Sequence, residues 1–183
     1  LNEVVFDNVR VPTANRIGQE GKGWTYAKAL LAHERTSIAA VADSKRKLRE
    51  LRELLAQEVS GGRPLSEDTQ FQNRLSNTEI ELMALEYTEL RVLASTADGK
   101  GPGVESSLLK IKGTEIQQAI QQMYMDLAGY YSGVIHGEDT EESIGHAFGH
   151  SARQAYMYGR AATIYGGSNE VQKNITAKYV LGL

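Results

Sequence analysis

The chain has no cysteine among its 183 residues, and this absence excludes several classes of site at once. Disulfide bonds, cysteine-ligated zinc, iron–sulfur clusters and thiol catalysis all depend on that residue. Nothing in the cysteine content therefore opposes a reducing compartment, and the cytoplasm is the expected location.

Neither an excess of basic residues nor a long apolar run is present. The 20 basic and 23 acidic residues give a net charge of −3, so we expect no binding to nucleic acid. The purely apolar run at positions 38–42 has five residues, whereas a membrane helix needs roughly 20. We therefore expect no insertion into a membrane and no secretory leader at the start of the chain.

Proline is scarce, and the stretches between and after Pro12, Pro64 and Pro102 are rich in helix-forming residues. Apolar residues recur in these stretches at helical spacing, which predicts an all-α, up-down helical bundle. The predicted helices run from about Trp24 to Ser60, from a cap at Ser66 to about Asp98, from Val104 to Ala128, from Ser151 to Ile164, and from a cap at Ser168 to about Val180.

The first twelve residues differ from the rest of the chain. Val4, Phe6, Val9 and Val11 partly alternate with polar residues before Pro12, which predicts a short β lead-in. No later segment predicts a sheet, so we interpret residues 1–12 as a residual strand of a missing β-domain and residues 13–183 as the helical domain. Because the chain begins without methionine, we expect it to be part of a longer protein.

Glu34 is the most informative charged residue, because the predicted first helix places it at the centre of an apolar stripe. On a helical wheel, Ala27, Leu31, Ile38 and Val41 fall within about 60° of it. Burial raises the pKa of a carboxyl group toward the range that suits a general base. A structural glutamate neutralised by a partner would show the same pattern, and both interpretations stay open at this point.

The turn Gly166-Gly167-Ser168, just before the last predicted helix, is the second candidate site. Free N–H groups and the positive end of a helix dipole favour a phosphate at such a turn, and glycine lets a ligand approach the backbone closely. A plain connection between helices with a serine cap would show the same residues.

Histidines and tyrosines form two further clusters, and their pattern alone does not indicate a site. His146 and His150 are four residues apart, with His136 nearby, but no carboxylate or cysteine completes a recognisable ligand spacing, so no metal is predicted. The tyrosines suit core and interface positions better than a cofactor stack; they are Tyr124, Tyr130, Tyr131, Tyr156, Tyr158 and Tyr165.

Distinctive motifs lie at the two ends of the chain. Residues 164–183 begin Ile-Tyr-Gly-Gly-Ser-Asn-Glu, and residues 2–35 include Gly-Lys-Gly-Trp at 21–24 and His-Glu-Arg at 33–35. The first segment closely resembles the C-terminal signature of the acyl-CoA dehydrogenase family, and the second resembles that family's passage from its middle β-domain into its C-terminal bundle. The resemblance implies that the chain is the C-terminal helical domain of a flavin-dependent acyl-CoA dehydrogenase.

That family removes a proton from Cα of an acyl-CoA thioester while a hydride leaves Cβ for FAD. Many members carry the catalytic glutamate at the position that is Gly166 here, whereas others carry it on the first bundle helix, immediately before an arginine. The resemblance therefore implies that Glu34 is the catalytic base and that Arg35 orients the base or the substrate. It also implies that Tyr165 and Gly166 line the substrate site.

The resemblance further implies two sets of FAD contacts. One set follows the terminal turn, and the other lies at the end of the third long helix and meets the FAD of a neighbouring subunit. The implied contacts are Gly167, Ser168, Asn169 and Glu170 in the first set, and Asp126 and Gly129 in the second. Two family motifs are altered in this sequence. Asp126 and Tyr130 replace the glutamine and the second glycine of Gln-x-x-Gly-Gly, and residues 59–64 replace Arg-x-x-Phe-Gly.

The implied partners are an acyl-CoA substrate, an electron-transfer flavoprotein and further copies of the chain in a homodimer or homotetramer. Because the family's upstream domains are not among the 183 residues, we expect the chain alone to bind FAD poorly and to be inactive. Two alternatives stay open. One is a flavin oxidase or monooxygenase on the same scaffold, and the other is a non-catalytic helical assembly module.

Overall fold

Six α-helices form the fold in the part of the chain that the computed structural model describes, namely residues 2–98, 103–133, 145 and 147–183, with the backbone alone for 32–36. They are α1 (Gly23–Ile38), α2 (Val41–Gln57), α3 (Thr69–Ala97), α4 (Glu105–Ala128), α5 (Ala147–Gly159) and α6 (Asn169–Thr176). Short 3-10 segments cover Thr13–Asn15, Leu65–Glu67, Gly129–Gly133 and Arg160–Thr163, and a π-helical turn, Ala177–Leu181, continues α6. The predicted all-α bundle is confirmed.

Helix α4 is the centre of the bundle, because it packs against α1, α2, α3, α5 and α6. Its side chains at Leu109, Ile116, Ile120 and Met123 are all at most 1% exposed. The remaining core comes mainly from the facing stripes of α2 and α3. Each outer helix is therefore held in place largely through α4.

The prediction of a single helix from Trp24 to Ser60 is wrong, because the chain breaks between α1 and α2. Ala40 has a left-handed backbone with φ +48 and ψ +42, and the side-chain Nε2 of Gln117 donates to the carbonyl oxygen of Ile38 at 2.8 Å. Ala39 is fully buried against α4. The break allows the backbone at Ala39 to approach α4 closely, which a continuous helix does not permit.

A small hairpin replaces the predicted last turn of that helix. Strands β1 (Val59–Ser60) and β2 (Arg63–Pro64) pair antiparallel, and Gly61 and Gly62 have φ of +59 and +79. Two positive φ values in a two-residue loop match the tight turn whose twist suits a hairpin. The expectation that nothing after Pro12 forms a sheet is therefore wrong, although the sheet is minimal.

The start of α3 and its buried stripe also differ in detail from prediction. The N-cap is Asp68, not Ser66, because its carboxylate accepts from the N–H groups of Gln70 and Phe71 at 2.8 and 3.1 Å. The sequence pattern places Leu93 on the buried stripe with Leu85, but Leu93 is 51% exposed and Val92 is 4% exposed. Two turns of an α-helix correspond to about seven residues, which favours Val92 over Leu93.

The predicted fourth helix, Ser151–Ile164, is displaced toward the N-terminus. Helix α5 covers Ala147–Gly159, and a 3-10 segment follows it. The side-chain Nε2 of Gln118 donates to the carbonyl oxygen of Gly159 at 2.9 Å. This contact gives the last carbonyl of α5 a partner on α4, and the regular helix ends there.

The β lead-in does not form a strand in the described chain, where strands are limited to residues 59–64. Val4, Phe6 and Val11 are between 67% and 78% exposed. The interpretation of this segment as part of another domain stays a prediction. None of the described helices has the length and apolar character that a membrane crossing requires.

Tyr124 ties α4 to α2 and gives the bundle a measurable pH dependence. Its hydroxyl donates to the carbonyl oxygen of Lys47 at 2.9 Å, and burial is the main cause that raises the pKa of Tyr124 to about 12. The unfolded chain loses this proton near pH 10, so the folded state binds more protons between pH 10 and 12 and stability falls as pH rises there. We expect chemical denaturation to show a steeper loss of unfolding free energy over that range for the wild type than for Tyr124→Phe. Equal slopes would contradict this role.

Candidate functional site

The turn Gly166-Gly167-Ser168 connects the last 3-10 segment to α6. The angle φ is +66 at Gly166 and +87 at Gly167, a region that residues with a side chain rarely adopt. Ser168 then caps α6, because its Oγ accepts from the N–H of Val171 at 3.4 Å and its carbonyl oxygen accepts from the N–H of Gln172 at 3.0 Å. The predicted serine cap is confirmed.

Gln172 lies beneath this turn and is fully buried. Its Nε2 donates to the carbonyl oxygen of Gly166 at 3.2 Å and lies 3.5 Å from that of Gly167. A Cβ atom at Gly167 would lie 2.5 Å from the same nitrogen. The Oε1 atom of Gln172 is buried and has no donor among the described residues.

The turn offers backbone donors on its exposed side. Within the described part of the chain, the N–H groups of Gly167 and Ser168 have no hydrogen-bond acceptor. They precede the first turn of α6, where the helix dipole adds partial positive charge. The turn can therefore donate to an anionic or carbonyl oxygen of a ligand.

A buried polar pair lies where α6 meets α4. The Nζ atom of Lys110 donates to Oδ1 of Asn169 at 2.8 Å, and the two residues are 0% and 6% exposed. Burial lowers the pKa of Lys110, and the charge of Glu170 partly opposes that shift. Because an ammonium group only donates, Lys110 fixes which end of the Asn169 amide faces inward.

Glu170 presents an exposed carboxylate in the first turn of α6. Its own backbone N–H and then the Ser168 hydroxyl lower the pKa of this carboxyl group. The carboxylate therefore stays ionised at neutral pH and acts only as a hydrogen-bond acceptor.

The C-terminal end of α1 lies against the same turn. A Cβ atom at Gly166 would lie 2.6 Å from Cδ1 of Ile38. Position 34 precedes Ile38 by one helical turn and shares its face of α1. The side chains of Glu34 and Arg35 lie outside the described residues, so their roles stay predictions.

Asp126 and Gly129 lie at the far end of α4 from this turn. Asp126 follows Lys110 by sixteen residues on the same helix, a separation of roughly 24 Å. Its carboxylate pairs with Arg74 at 2.7 Å and accepts from Nε2 of Gln122 at 2.9 Å. Gly129 ends α4 with φ +55. One copy of the chain therefore does not bring the two predicted sets of FAD contacts together.

Comparison with known proteins identifies the family. The family model described as "Acyl-CoA dehydrogenase, C-terminal domain" matches residues 21–181. The chain belongs to the acyl-CoA dehydrogenase family. Among curated relatives, it is 30% identical over 183 residues to acyl-CoA dehydrogenase IpdE1 of Mycolicibacterium smegmatis, a match that covers 100% of this chain and 42% of that protein.

Solved structures of acyl-CoA dehydrogenases and related proteins share the fold. The ChsE4-ChsE5 complex from Mycobacterium tuberculosis matches with a TM-score of 0.77 and 28% identity, covering 97% of this chain and 45% of that one. The prolyl acyl carrier protein oxidase AnaB matches with a TM-score of 0.75 and 20% identity over 97% of this chain and 44% of that one, which shows the fold alone. The chain thus spans less than half the length of these proteins.

Acyl-CoA dehydrogenases are flavoproteins, and the turn before α6 has features that fit FAD. Two backbone N–H groups are unpaired among the described residues, and the absent Cβ at Gly167 keeps the backbone accessible. These donors match the acceptor oxygens of a pyrophosphate or a carbonyl group. The residues that are present therefore suit the cofactor that the family uses.

The histidines and most of the tyrosines lie apart from this turn or outside the described chain. His136 and His146 lie outside the described residues, and Nε2 of Gln154 lies 2.9 Å from Nε2 of His150. Among the described residues, no three His, Asp or Glu side chains form a group that could hold a metal ion. Tyr124 packs against the core, whereas Tyr165, beside the turn, is 43% exposed.

The sequence pattern did not predict a role for Lys110 and Gln172, which support the turn from inside. A signal for Gln172 was available, because it follows the Ser168 cap by four residues and so lies on the side of α6 beneath the turn. Lys110 lies between Leu109 and Ile111 and close to Ser106, Ser107 and Gly113. Small residues around a lysine on a predicted helix indicate close packing, which is a weaker signal.

Proposed function

We propose that the chain is the C-terminal domain of an FAD-dependent enzyme that desaturates an acyl-CoA thioester between Cα and Cβ. The observation that carries this proposal is the contact between the end of α1 and the turn before α6, where Ile38 faces Gly166. It brings the helix with Glu34 to the turn at which many family members hold their base. Both positions then flank the same substrate carbon.

In this proposal Glu34 removes the proton from Cα, and Arg35 orients the base or the thioester. Gly166 leaves the turn without a second carboxylate, so a single base faces Cα. Tyr165, at the edge of the turn, lines the substrate site. When bound, FAD supplies the acceptor for the hydride that leaves Cβ.

The FAD contacts follow from the chemistry of the turn. The N–H groups of Gly167 and Ser168 donate to acceptor oxygens of the cofactor, and the amide of Asn169 is oriented by Lys110. Glu170 accepts from a hydroxyl group of the cofactor and does not face its phosphates, because an ionised carboxylate donates no hydrogen bond and repels a phosphate. Asp126 and Gly129 contact the FAD of a neighbouring copy, although the Asp126 carboxylate already pairs with Arg74.

The proposal is tested by mixing the full-length protein with acyl-CoA thioesters of graded size in the absence of oxygen. We expect the flavin absorbance to bleach and mass spectrometry to show a product that has lost two hydrogen atoms. A protein that holds FAD but neither bleaches nor changes any thioester would contradict the proposal.

An oxidase on the same scaffold is the second candidate, and the likeness of the fold to the oxidase AnaB motivates it. The two candidates differ in the electron acceptor. A dehydrogenase passes electrons to an electron-transfer flavoprotein, whereas an oxidase passes them to oxygen. Reoxidation of the reduced full-length enzyme in air, without the flavoprotein, therefore distinguishes them.

Assembly with a second chain is part of the proposal, because the two sets of FAD contacts lie about 24 Å apart along one helix. A homodimer or homotetramer brings the end of α4 from one copy to the turn of another. A complex of two different chains, as the name of the ChsE4-ChsE5 complex indicates, is the alternative assembly. The mass of the full-length complex in solution, with and without FAD, separates these arrangements.

A further inference from the structure

We propose that Gln172 is a positioning residue that aims the N–H groups of Gly167 and Ser168 at the bound FAD. This inference rests on the proposed function and assigns a role to a residue that has no contact with solvent. Gln172 acts through the turn and not on the ligand itself, because its side chain is fully buried.

The geometry of the peptide unit links the buried carbonyl groups of the turn to its N–H groups. In a trans peptide the C=O of one residue points opposite to the N–H of the next. Gln172 holds the carbonyl oxygen of Gly166 on the inner side of the turn at 3.2 Å, and that of Gly167 lies 3.5 Å from the same nitrogen. The N–H groups of Gly167 and Ser168 must therefore point to the outer side, where they have no acceptor among the described residues.

If packing were the only role of position 172, an apolar side chain would be more stable there than the amide of Gln172. Its stronger contact is 3.2 Å long, and its buried Oε1 lacks a donor within the described part of the chain. A buried unsatisfied acceptor costs free energy, and an apolar side chain of the same shape avoids that cost. What the amide contributes is its hydrogen bond to the carbonyl oxygen of Gly166, which fixes the direction of the turn.

Gly167 is matched to this role. A Cβ atom there would lie 2.5 Å from Nε2 of Gln172, and a residue with a side chain would have to adopt the φ of +87 that Gly167 has. The contact between backbone and amide is thus close enough that a methyl group displaces the amide. Gln172 and Gly167 should therefore behave as one unit.

The test is the dissociation constant of FAD, measured by fluorescence titration of the full-length apoprotein. Gln172→Met keeps the shape and removes the donor, and we expect it to weaken FAD binding at least tenfold. Leu85→Ala is the matched control, since it lowers stability in the core of α3 without touching the turn. We expect its dissociation constant to stay within twofold of the wild type.

Gly167→Ala changes the other partner of the contact between Gly167 and Gln172. It therefore tests the role of Gln172 even if Gln172→Met does not fold. We expect a tenfold or greater loss in the wild type and a smaller loss in a Gln172→Ala background, where the clash with the amide is absent and only the strained φ of +87 remains. Equal FAD affinities for the wild type and Gln172→Met would overturn the role of Gln172, and so would additive losses in the double variant. Either result would leave the proposed function standing. A wild-type apoprotein that does not bind FAD overturns the proposed function as well.

Discussion

Replacing Glu34 with Gln in the full-length enzyme is expected to lower the rate of desaturation by about a thousandfold. General base catalysis contributes roughly 10²- to 10⁴-fold, and glutamine cannot take a proton from Cα. FAD content and the dissociation constant of the acyl-CoA should change little, because the substitution retains shape. Single-turnover bleaching of the flavin measures the chemical step directly.

Two variants complete this experiment. Glu79→Gln removes a surface carboxylate that pairs with Arg52, and it should leave the rate unchanged. Adding Gly166→Glu to Glu34→Gln should restore part of the rate, at a cost of about 1–2 kcal/mol for a left-handed residue with a side chain. Desaturation near the wild-type rate in folded Glu34→Gln would show that Glu34 is not the base, and would favour a structural role for this residue.

Gly113→Ala is expected to destabilise the bundle by about 2 kcal/mol. A Cβ atom at this position would lie 2.6 Å from Cα and 2.8 Å from the carbonyl oxygen of Ala39. Those atoms belong to the backbone and cannot rotate away, so the helices must separate, which typically costs about 1–3 kcal/mol. The strain acts at the break between α1 and α2, and it should also move α1 away from the turn.

Gly149→Ala is the matched control for this substitution, because Gly149 also lies inside a helix. Its Cβ would lie 3.8 Å from the nearest atoms, which is ordinary contact, so the higher helix propensity of alanine should stabilise it by up to about 1 kcal/mol. We expect the melting temperature of the full-length protein to fall by roughly 2–4 °C in Gly113→Ala and to hold or rise in Gly149→Ala. Similar shifts in the two variants would mean that contact with Ala39 is not limiting.

The parts of the fold that sequence predicts well are those fixed by local signals. The end of α4 at Gly129 and the cap of α6 at Ser168 follow from residues whose backbone preferences act within one turn. Both are found where the pattern places them. Helical spacing likewise predicts the buried side of α4, because Leu109, Ile116 and Ile120 keep one period over its length.

The break at Ala39 and Ala40 is not predictable from the same signals. Alanine is the strongest helix former, and the local sequence therefore favours a continuous helix. The break depends on Gly113 and Gln117, which are more than seventy residues further along the chain. A tertiary contact of this kind overrides propensity and leaves no local trace.

The candidate site also has one part that local sequence signals predict and one part that depends on tertiary packing. The glycine turn is visible in the sequence because two glycines stand just before a serine cap, although a plain connection between helices would show the same residues. Gln172 and Lys110 are ordinary helix residues by type, and only the packing of α6 on α4 shows that they support the turn.

The contacts of Lys110, Gly113 and Gln117 have a consequence for how this domain can diverge. Lys110 contacts α6, and the other two residues contact the end of α1. All three lie within about 10 Å along α4. Loops between helices can lengthen or shorten without altering the spacing of α1 and the turn before α6. A single residue inserted between Lys110 and Gly113 would instead rotate one set of contacts by about 100° relative to the other. Descendants of this domain are therefore free to change their outer surfaces, while this short length of α4 keeps its register.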